Sequence, residues 1–288
     1  MTKGISTIIA SILMLLITIA LAGTSFLYIF GVFRGKTTTA FELLESDDTT
    51  ITIRNSGTEP IISFRSVKID NTDAVYRISK KDNSLVGYWK FDEGSGLTAF
   101  DSSGNNNNGN LINNPTWSDC KFGKALSFDG IDDYVNIGNL PLLNIPNDFT
   151  IELWIRASTS QGAFYNPISK GHGPTALGTA GWVFQGSVLM EFVFGDGTGF
   201  PTVSFGTSFK DDQWHHLVAV KSSTNGVRVY ADGFLAGTPN PGLTSPVNNL
   251  AAFALSVGRD TQNGRHFKGL IEEVRIYNRV LSEQEIKA

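Results

Sequence analysis

Phe149-Thr150-Ile151-Glu152-Leu153-Trp154-Ile155-Arg156 alternates apolar and polar side chains without a break. A period of two marks a strand with one face in a core. Phe149, Ile151, Leu153 and Ile155 fall on one side, and Glu152, Trp154 and Arg156 on the other. Val227-Arg228-Val229-Tyr230 repeats the pattern and runs into Ala231-Asp232-Gly233, a turn signal. From Leu85 onward such runs recur between clusters of Gly, Asn, Asp and Pro, with almost no helical period. Many short strands with glycine-rich turns predict a mainly β fold, an antiparallel sandwich. One helix start stands out, where Ser282 and Glu285 have the spacing of a capping box.

Upstream the texture differs. Residues 4–33 carry no charged side chain and follow directly on Met1-Thr2-Lys3. As a helix this run would span about 45 Å, more than the ~30 Å hydrocarbon core of a bilayer. It is too long for a secretory signal peptide, and Ala20-Leu21-Ala22 lies inside it rather than behind it. The expectation is one long apolar N-terminal helix, serving as a membrane anchor or an assembly helix. Lys3 lies before it and Arg34 and Lys36 after it, so flanking charge barely decides orientation. Thr50-Ile51-Thr52-Ile53-Arg54 and Ile61 to Ile69 alternate around the turn-rich Asn55-Ser56-Gly57-Thr58-Glu59-Pro60, which predicts a small β segment or stalk. The expected organisation is therefore helix over 1–36, β segment over 37–83, and sandwich over 84–288.

The chain has 288 residues and a formal charge of −4. Beyond residue 36, twenty basic side chains face twenty-seven acidic ones, a balance of −7. That surface lacks the basic patch a nucleic-acid partner requires. Cys120 is the one cysteine, so no intrachain disulfide forms, and packing or metal must stabilise the fold. No Asn-x-Ser/Thr acceptor is present; Asn114-Pro115-Thr116 is blocked by its proline.

Four ordered phrases resemble the laminin-G-like, or concanavalin A-like, jelly roll: Gly87 to Gly96 with Asp101-Ser102-Ser103-Gly104; Ala125 to Gly130 with Asp133-Tyr134-Val135; Trp214 to Val218 with Tyr230 to Gly233; and Phe267 to Arg279. The resemblance covers about 200 residues. It implies a sandwich whose first and last strands are neighbours, on a scaffold that hosts lectins, adhesion modules and glycanases alike. Lys3-Gly4-Ile5-Ser6-Thr7-Ile8-Ile9-Ala10 resembles the class III signal of archaeal type IV pilins. This second resemblance implies cleavage between Gly4 and Ile5 and retention of the apolar helix as a filament core. It also implies an external C-terminal part in the cell envelope and a homopolymer or pilin subunits as partners.

Glycanases on this scaffold need two carboxylates flanking the scissile bond. The Glu-x-Asp-x-x-Glu spacing is absent. Glu272 and Glu273 are adjacent, as are His215 and His216, so strand alternation should point each pair apart. No enzyme is expected. The jelly-roll resemblance implies a structural calcium held by Glu93, Asp101, Asn105 and Glu272, oxygen donors of the kind that ion takes. Turn-forming Asp and Ser side chains bonding to local backbone explain the same loop without a metal. Trp154, Arg156 and Tyr230 set aromatics beside charge on outer faces, as sugar recognition requires. The expected activity is non-catalytic recognition of an extracellular glycan or surface protein. A structural pilin-like subunit with a decorating sandwich is the alternative.

Overall fold

The computed structural model describes residues 82–287 apart from 121–122, 176–177, 249–252 and 261–263, and six strands within the first 81. The chain divides into two compact units, Met1–Lys81 and Asp82–Ala288.

In the first unit the strands are β1 (Ile17–Ala20), β2 (Phe26–Val32), β3 (Phe41–Ser46), β4 (Ile51–Asn55), β5 (Ser63–Ile69) and β6 (Thr72–Asp73). One sheet has the order β1-β2-β5-β6, and β3 pairs with β4. The alternating segments predicted at 50–54 and 61–69 thus contain strands. The expected helix does not appear at 17–20 or 26–32, which form β1 and β2. Ile17-Thr18-Ile19 and Phe26-Leu27-Tyr28-Ile29-Phe30 are rich in β-branched and aromatic residues, the types that favour a pleated sheet once a partner strand is present. For β2 that partner is β5. Among the described residues no helix is long and apolar enough to cross a membrane. Gly4 and Ile5 lie outside the described residues.

The second unit is a sandwich of two antiparallel sheets. Its strands are β7 (Leu85–Trp89), β8 (Thr98–Ala99), β9 (Gly109–Ile112), β10 (Thr116–Cys120), β11 (Gly123–Asp129), β12 (Tyr134–Gly138), β13 (Phe149–Ala157), β14 (Tyr165–Thr175), β15 (Gly178–Gly186), β16 (Met190–Phe194), β17 (Thr202–Ser204), β18 (His215–Ser222), β19 (Gly226–Ala231), β20 (Phe234–Asn240), β21 (Leu255–Val257) and β22 (Lys268–Tyr277). The first sheet runs β10-β11-β22-β13-β18-β19-β20, with β7 also paired to β22. The second runs β17-β16-β15-β14-β21-β12-β9-β8. Hairpins such as β18-β19-β20 and β14-β15-β16-β17 are joined through out-of-sequence pairs, β11-β22-β13-β18 in the first sheet and β14-β21-β12-β9 in the second, so each sheet needs strands from distant parts of the unit. Leu153 and Ile155 of the first sheet and Ile168, Phe184 and Val257 of the second, all fully buried, belong to one core. Trp89 is fully buried too, and its Nε1 donates to the Asn107 carbonyl at 2.8 Å.

The unit's two ends meet, as the resemblance implied: β7 pairs antiparallel with β22 from Trp89↔Val274 to Leu85↔Tyr277. Arg279 fastens the junction. Its Nη2 donates to Asp82 Oδ2 at 2.7 Å and its Nε to Ser84 Oγ at 2.8 Å. The same guanidinium reaches Glu285 Oε1 at 2.7 Å, holding the short helix α1 (Glu283–Ile286). The capping box read from Ser282 and Glu285 is formed in both directions.

Candidate functional site

The predicted calcium loop is built mainly from bonds to its own backbone. Asp101 Oδ1 accepts from the amides of Tyr88 (3.0 Å) and Ser103 (2.8 Å), and Oδ2 from the amide of Asn107 (2.9 Å). Asn105 Nδ2 donates to the carbonyls of Leu85 and Val86 at 3.1 and 3.2 Å. Asn107, in an asparagine tract with the composition of an exposed loop, is buried and donates to Val86 O at 2.7 Å. Glu272 is buried beside β10, where it accepts from the Cys120 thiol at 2.7 Å. Burial, with Glu273 and Asp92 close by, pushes its carboxyl above the ordinary value. The carboxylate oxygens of Glu93, Asp101 and Glu272 are not grouped within 4.8 Å of one another. Glu93 is the member that fits a cation: Oε1 accepts from the Phe100 amide at 2.7 Å, but Oε2 is buried without a partner. Burial raises its carboxyl as well. Among the described residues, the acidic oxygens that do converge, within 4.8 Å, are those of Asp129, Asp132 and Asp133.

The three predicted sugar contacts separate. Tyr230 is 2 % exposed. Leu281 and Ile286, carried by and next to α1, pack with it, Val218 and Val220 in a second small apolar cluster. Tyr230 does face away from the main core, as alternation predicts, but the C-terminal segment covers that face. Arg156 is exposed and donates through Nε to the Asp212 carbonyl at 2.8 Å. Trp154 stays half-buried, between Glu272 on one neighbouring strand and His216 on the other. Its ring stacks on His216 with centroids 5.1 Å apart and planes at 21°.

Around Trp154 a charged network occupies the outer face of the first sheet. Glu152, almost fully buried, accepts from Arg275 Nη1 at 3.1 Å, and its other oxygen lies 3.6 Å from His216 Nε2. Arg275 also pairs with Glu273, donates to Tyr88 Oη at 2.8 Å and lies 4.2 Å over the Tyr88 ring. Burial alone would raise the Glu152 carboxyl, but His216 and Arg275 outweigh it and hold the group below its usual range. Burial likewise lifts the Tyr88 and Tyr277 hydroxyls.

Simple alternation fails for one pair. The register shifts between Glu152↔Arg275 and Trp154↔Glu272, and Glu273 adopts φ 53°. Such a bulge sets two residues against one, so Glu272 and Glu273 both reach the outer face. Nothing in a Glu-Glu dipeptide signals a positive φ, which glycine would have advertised. His215 and His216 do point apart: His215 bonds Asp232 and Asp211 at 2.8 and 3.0 Å, on the side away from Trp154.

No curated protein matches the chain. Among solved structures, the binding domain of a Paraclostridial mosquitocidal protein is similar over 72 % of this chain and 52 % of its own, with 14 % identity and a TM-score of 0.59. Domain 4 of AbnA, an extracellular arabinanase of family GH43 from Geobacillus stearothermophilus solved with arabinotriose, is similar over 71 % of this chain and 97 % of its own, with 23 % identity and a TM-score of 0.50. A botulinum neurotoxin serotype D binding domain, solved with N-acetylneuraminic acid, gives 14 % identity and a TM-score of 0.54 over 71 % and 50 %. At these identities the likeness is one of fold, and the chain spans about half the length of the toxin domains. A family model described as the concanavalin A-like lectin/glucanases superfamily matches residues 129–287, more than half of the sequence, and the chain belongs to that superfamily.

Proposed function

We propose that the sandwich is a non-catalytic module that recognises an extracellular glycan. The observation that carries this reading is the half-buried Trp154 ring framed by Glu272, His216 and the Glu152–Arg275 network. An apolar ring face with polar partners beside it suits a sugar. Glu152 and Glu273 are both committed to Arg275, so neither is placed as a free acid or base. The similar solved domains are described as binding domains or were solved with sugars, which supports the same reading. Calcium enters the proposal through Glu93, whose partnerless oxygen suits a hard cation.

The test uses residues 82–288, which close their own core, on a glycan array with calcium and with chelator. Trp154→Ala is expected to weaken binding about tenfold, the loss of one stacking contact. Unchanged binding would remove Trp154 from the site, and release of reducing ends from a polysaccharide would restore an enzyme reading. Calcium about a hundredfold above its dissociation constant is expected to raise the melting temperature by about 5–10 °C. No rise would remove the metal.

We further propose surface display, with residues 5–33 as an anchor or filament-core segment and other pilin-like subunits as partners. The support is the uncharged run behind Lys3-Gly4. In lipid that run would have to be helical, because an open sheet leaves backbone groups unpaired. A mature chain beginning at Ile5 is the expected mass-spectrometric result; retention of residues 1–4 would remove the processing step.

A further inference from the structure

His215 opens β18, and both of its ring nitrogens meet carboxylates. Nδ1 lies 2.8 Å from Asp232 Oδ2, and Nε2 lies 3.0 Å from Asp211 Oδ2. An ionised carboxylate only accepts, so each contact needs a proton on the nitrogen. A neutral imidazole has one proton and would turn a lone pair on one of the two. The arrangement is therefore that of an imidazolium. Burial alone would lower its pKa, but the two carboxylates outweigh it and hold the ring above the ordinary value of 6.5.

The two partners come from different segments. Asp232 stands in the turn between β19 and β20, and its other oxygen accepts from the His216 amide at 2.9 Å. Asp211 belongs to residues 205–214, which lead from β17 into β18. The other elements around the ring present different groups. β13 sets the apolar Ile155 opposite His215, and the Phe209 ring lies 4.9 Å away. Tyr165 of β14 feels the Asp211 charge, but its hydroxyl donates to the Ser208 carbonyl at 2.5 Å. Lys287, near the β19–β20 turn at Gly233, lies over the Phe234 ring.

Within 205–214, Phe209 and Asp212 adopt φ 56° and 58°. Side chains rarely take that region, so the segment is held by its contacts rather than by its own preference. Asp212 is where it meets the outer face of the first sheet. Its amide donates to the Ala157 carbonyl at 3.1 Å, its Oδ2 accepts from Thr159 Oγ1 at 2.7 Å, and its carbonyl accepts from Arg156 Nε at 2.8 Å. Arg156 is exposed on the same face as Trp154, two residues or about 7 Å along the strand. The Nε bond fixes the guanidinium and leaves its Nη atoms free among the described residues. A fork so held can donate to neighbouring hydroxyls of a sugar lying on Trp154.

We propose that His215 is a positioning residue for the glycan site: as an imidazolium it locks the segment that aims Arg156 at the sugar. This rests on the carbohydrate reading above. When pH rises through the His215 midpoint, the ring loses a proton and one carboxylate faces a lone pair. The segment then loosens, and glycan affinity falls with it. His216 and Glu272 stand beside Trp154 whatever the state of His215, so variants separate their effect from his.

The experiment is calorimetric titration of residues 82–288 with neutral pentasaccharides from glucan, xylan, mannan and arabinan at pH 6 and pH 9, with NMR of the His215 ring and the Arg156 Nε–H across that range. The dissociation constant of a sugar that binds is expected to rise about tenfold between the two, the worth of one charge-assisted hydrogen bond. His215→Gln, neutral throughout, should show the weaker value at both. Asp211→Asn should keep the tighter value at both, because a carboxamide can donate to the neutral ring and still accept from the Gln213 amide. The Arg156 Nε–H should broaden along the curve on which the His215 ring titrates. Should His215→Gln misfold, Asp211→Asn and the NMR of the unaltered protein decide. A pH dependence that survives unchanged in the variants, a His215 ring neutral at pH 6, or an Arg156 signal indifferent to that titration would each overturn the proposal while leaving glycan recognition standing. Absence of binding to every sugar would overturn both.

Discussion

Replacing Gly181 by alanine is expected to abolish soluble folded protein, while the same change at Gly199 leaves stability within about 0.5 kcal/mol. Gly181 opens the central part of β15 with φ +75°, a region that costs a side chain about 1–2 kcal/mol. The larger obstacle is backbone. A Cβ there would stand 1.6 Å from the Gly171 carbonyl oxygen and 2.3 Å from that of Lys170. These atoms belong to β14, where the register slips between Lys170↔Trp182 and His172↔Gly181. Moving them would unseat β14 from both β15 and β21, so the combined penalty should exceed about 4 kcal/mol, a large share of a domain's whole stability. At Gly199 no atom lies within 4 Å of the added methyl and φ is outside the left-handed region. Soluble yield and thermal melting of the two variants check this. A folded Gly181→Ala protein would mean that β14 and β15 can separate at that point.

Stability should climb by about 2–3 kcal/mol between pH 8 and pH 10, then turn over. Lys170 shares a core row with Leu255 and Trp182 and is fully buried. Among the described residues its ammonium meets neutral acceptors, the Phe253 carbonyl at 2.9 Å and Asn139 Oδ1 at 3.3 Å. Burial lowers its pKa to about 8, from 10.5. Below pH 8 both states carry the proton, and the folded one bears the full cost of a buried charge. Between the two values the unfolded chain holds a proton that the folded chain has released, so unfolding becomes harder as pH rises. Every tenfold difference in proton affinity between the two states is worth about 1.4 kcal/mol. Above pH 10 the sign reverses. Burial raises the hydroxyls of Tyr88, Tyr165 and Tyr277, so these ionise first in the unfolded chain and favour it. Denaturant titrations from pH 7 to 11 check the maximum. Lys170→Met should flatten most of the rise, leaving the smaller contribution of Lys221, also lowered by burial. An unchanged profile in that variant would assign the rise elsewhere.

Local signals read well wherever one face of a strand decides its neighbours. The alternation at 149–156 became β13, and Ser282 with Glu285 became the cap of α1. Asp101 also illustrates what chemistry alone leaves open, since the oxygens that suit calcium equally suit three backbone amides, and only the path of the loop chooses. Tyr230 was lost as a contact because the segment that covers it lies some fifty residues later. The bulge at Glu273 is a register event, invisible in either strand alone. In the apolar N-terminal run, length spoke for a helix and β-branched content for strands, and hydropathy weighs only the first.

The Arg279 fastening has a mechanical meaning. The first strand of the sandwich enters, and the last one leaves, at the same end of an antiparallel pair. Tension between residue 82 and the C-terminal helix would therefore open β7 from β22 like a zipper, one rung at a time, rather than shear all rungs together. Zippers yield at low force and are governed by whatever bridges their mouth. Here that is Arg279, gripping Asp82, Ser84 and Glu285 at once, together with the Asn278 amide bonded to the Ser84 carbonyl, so this small cluster would meet the load first.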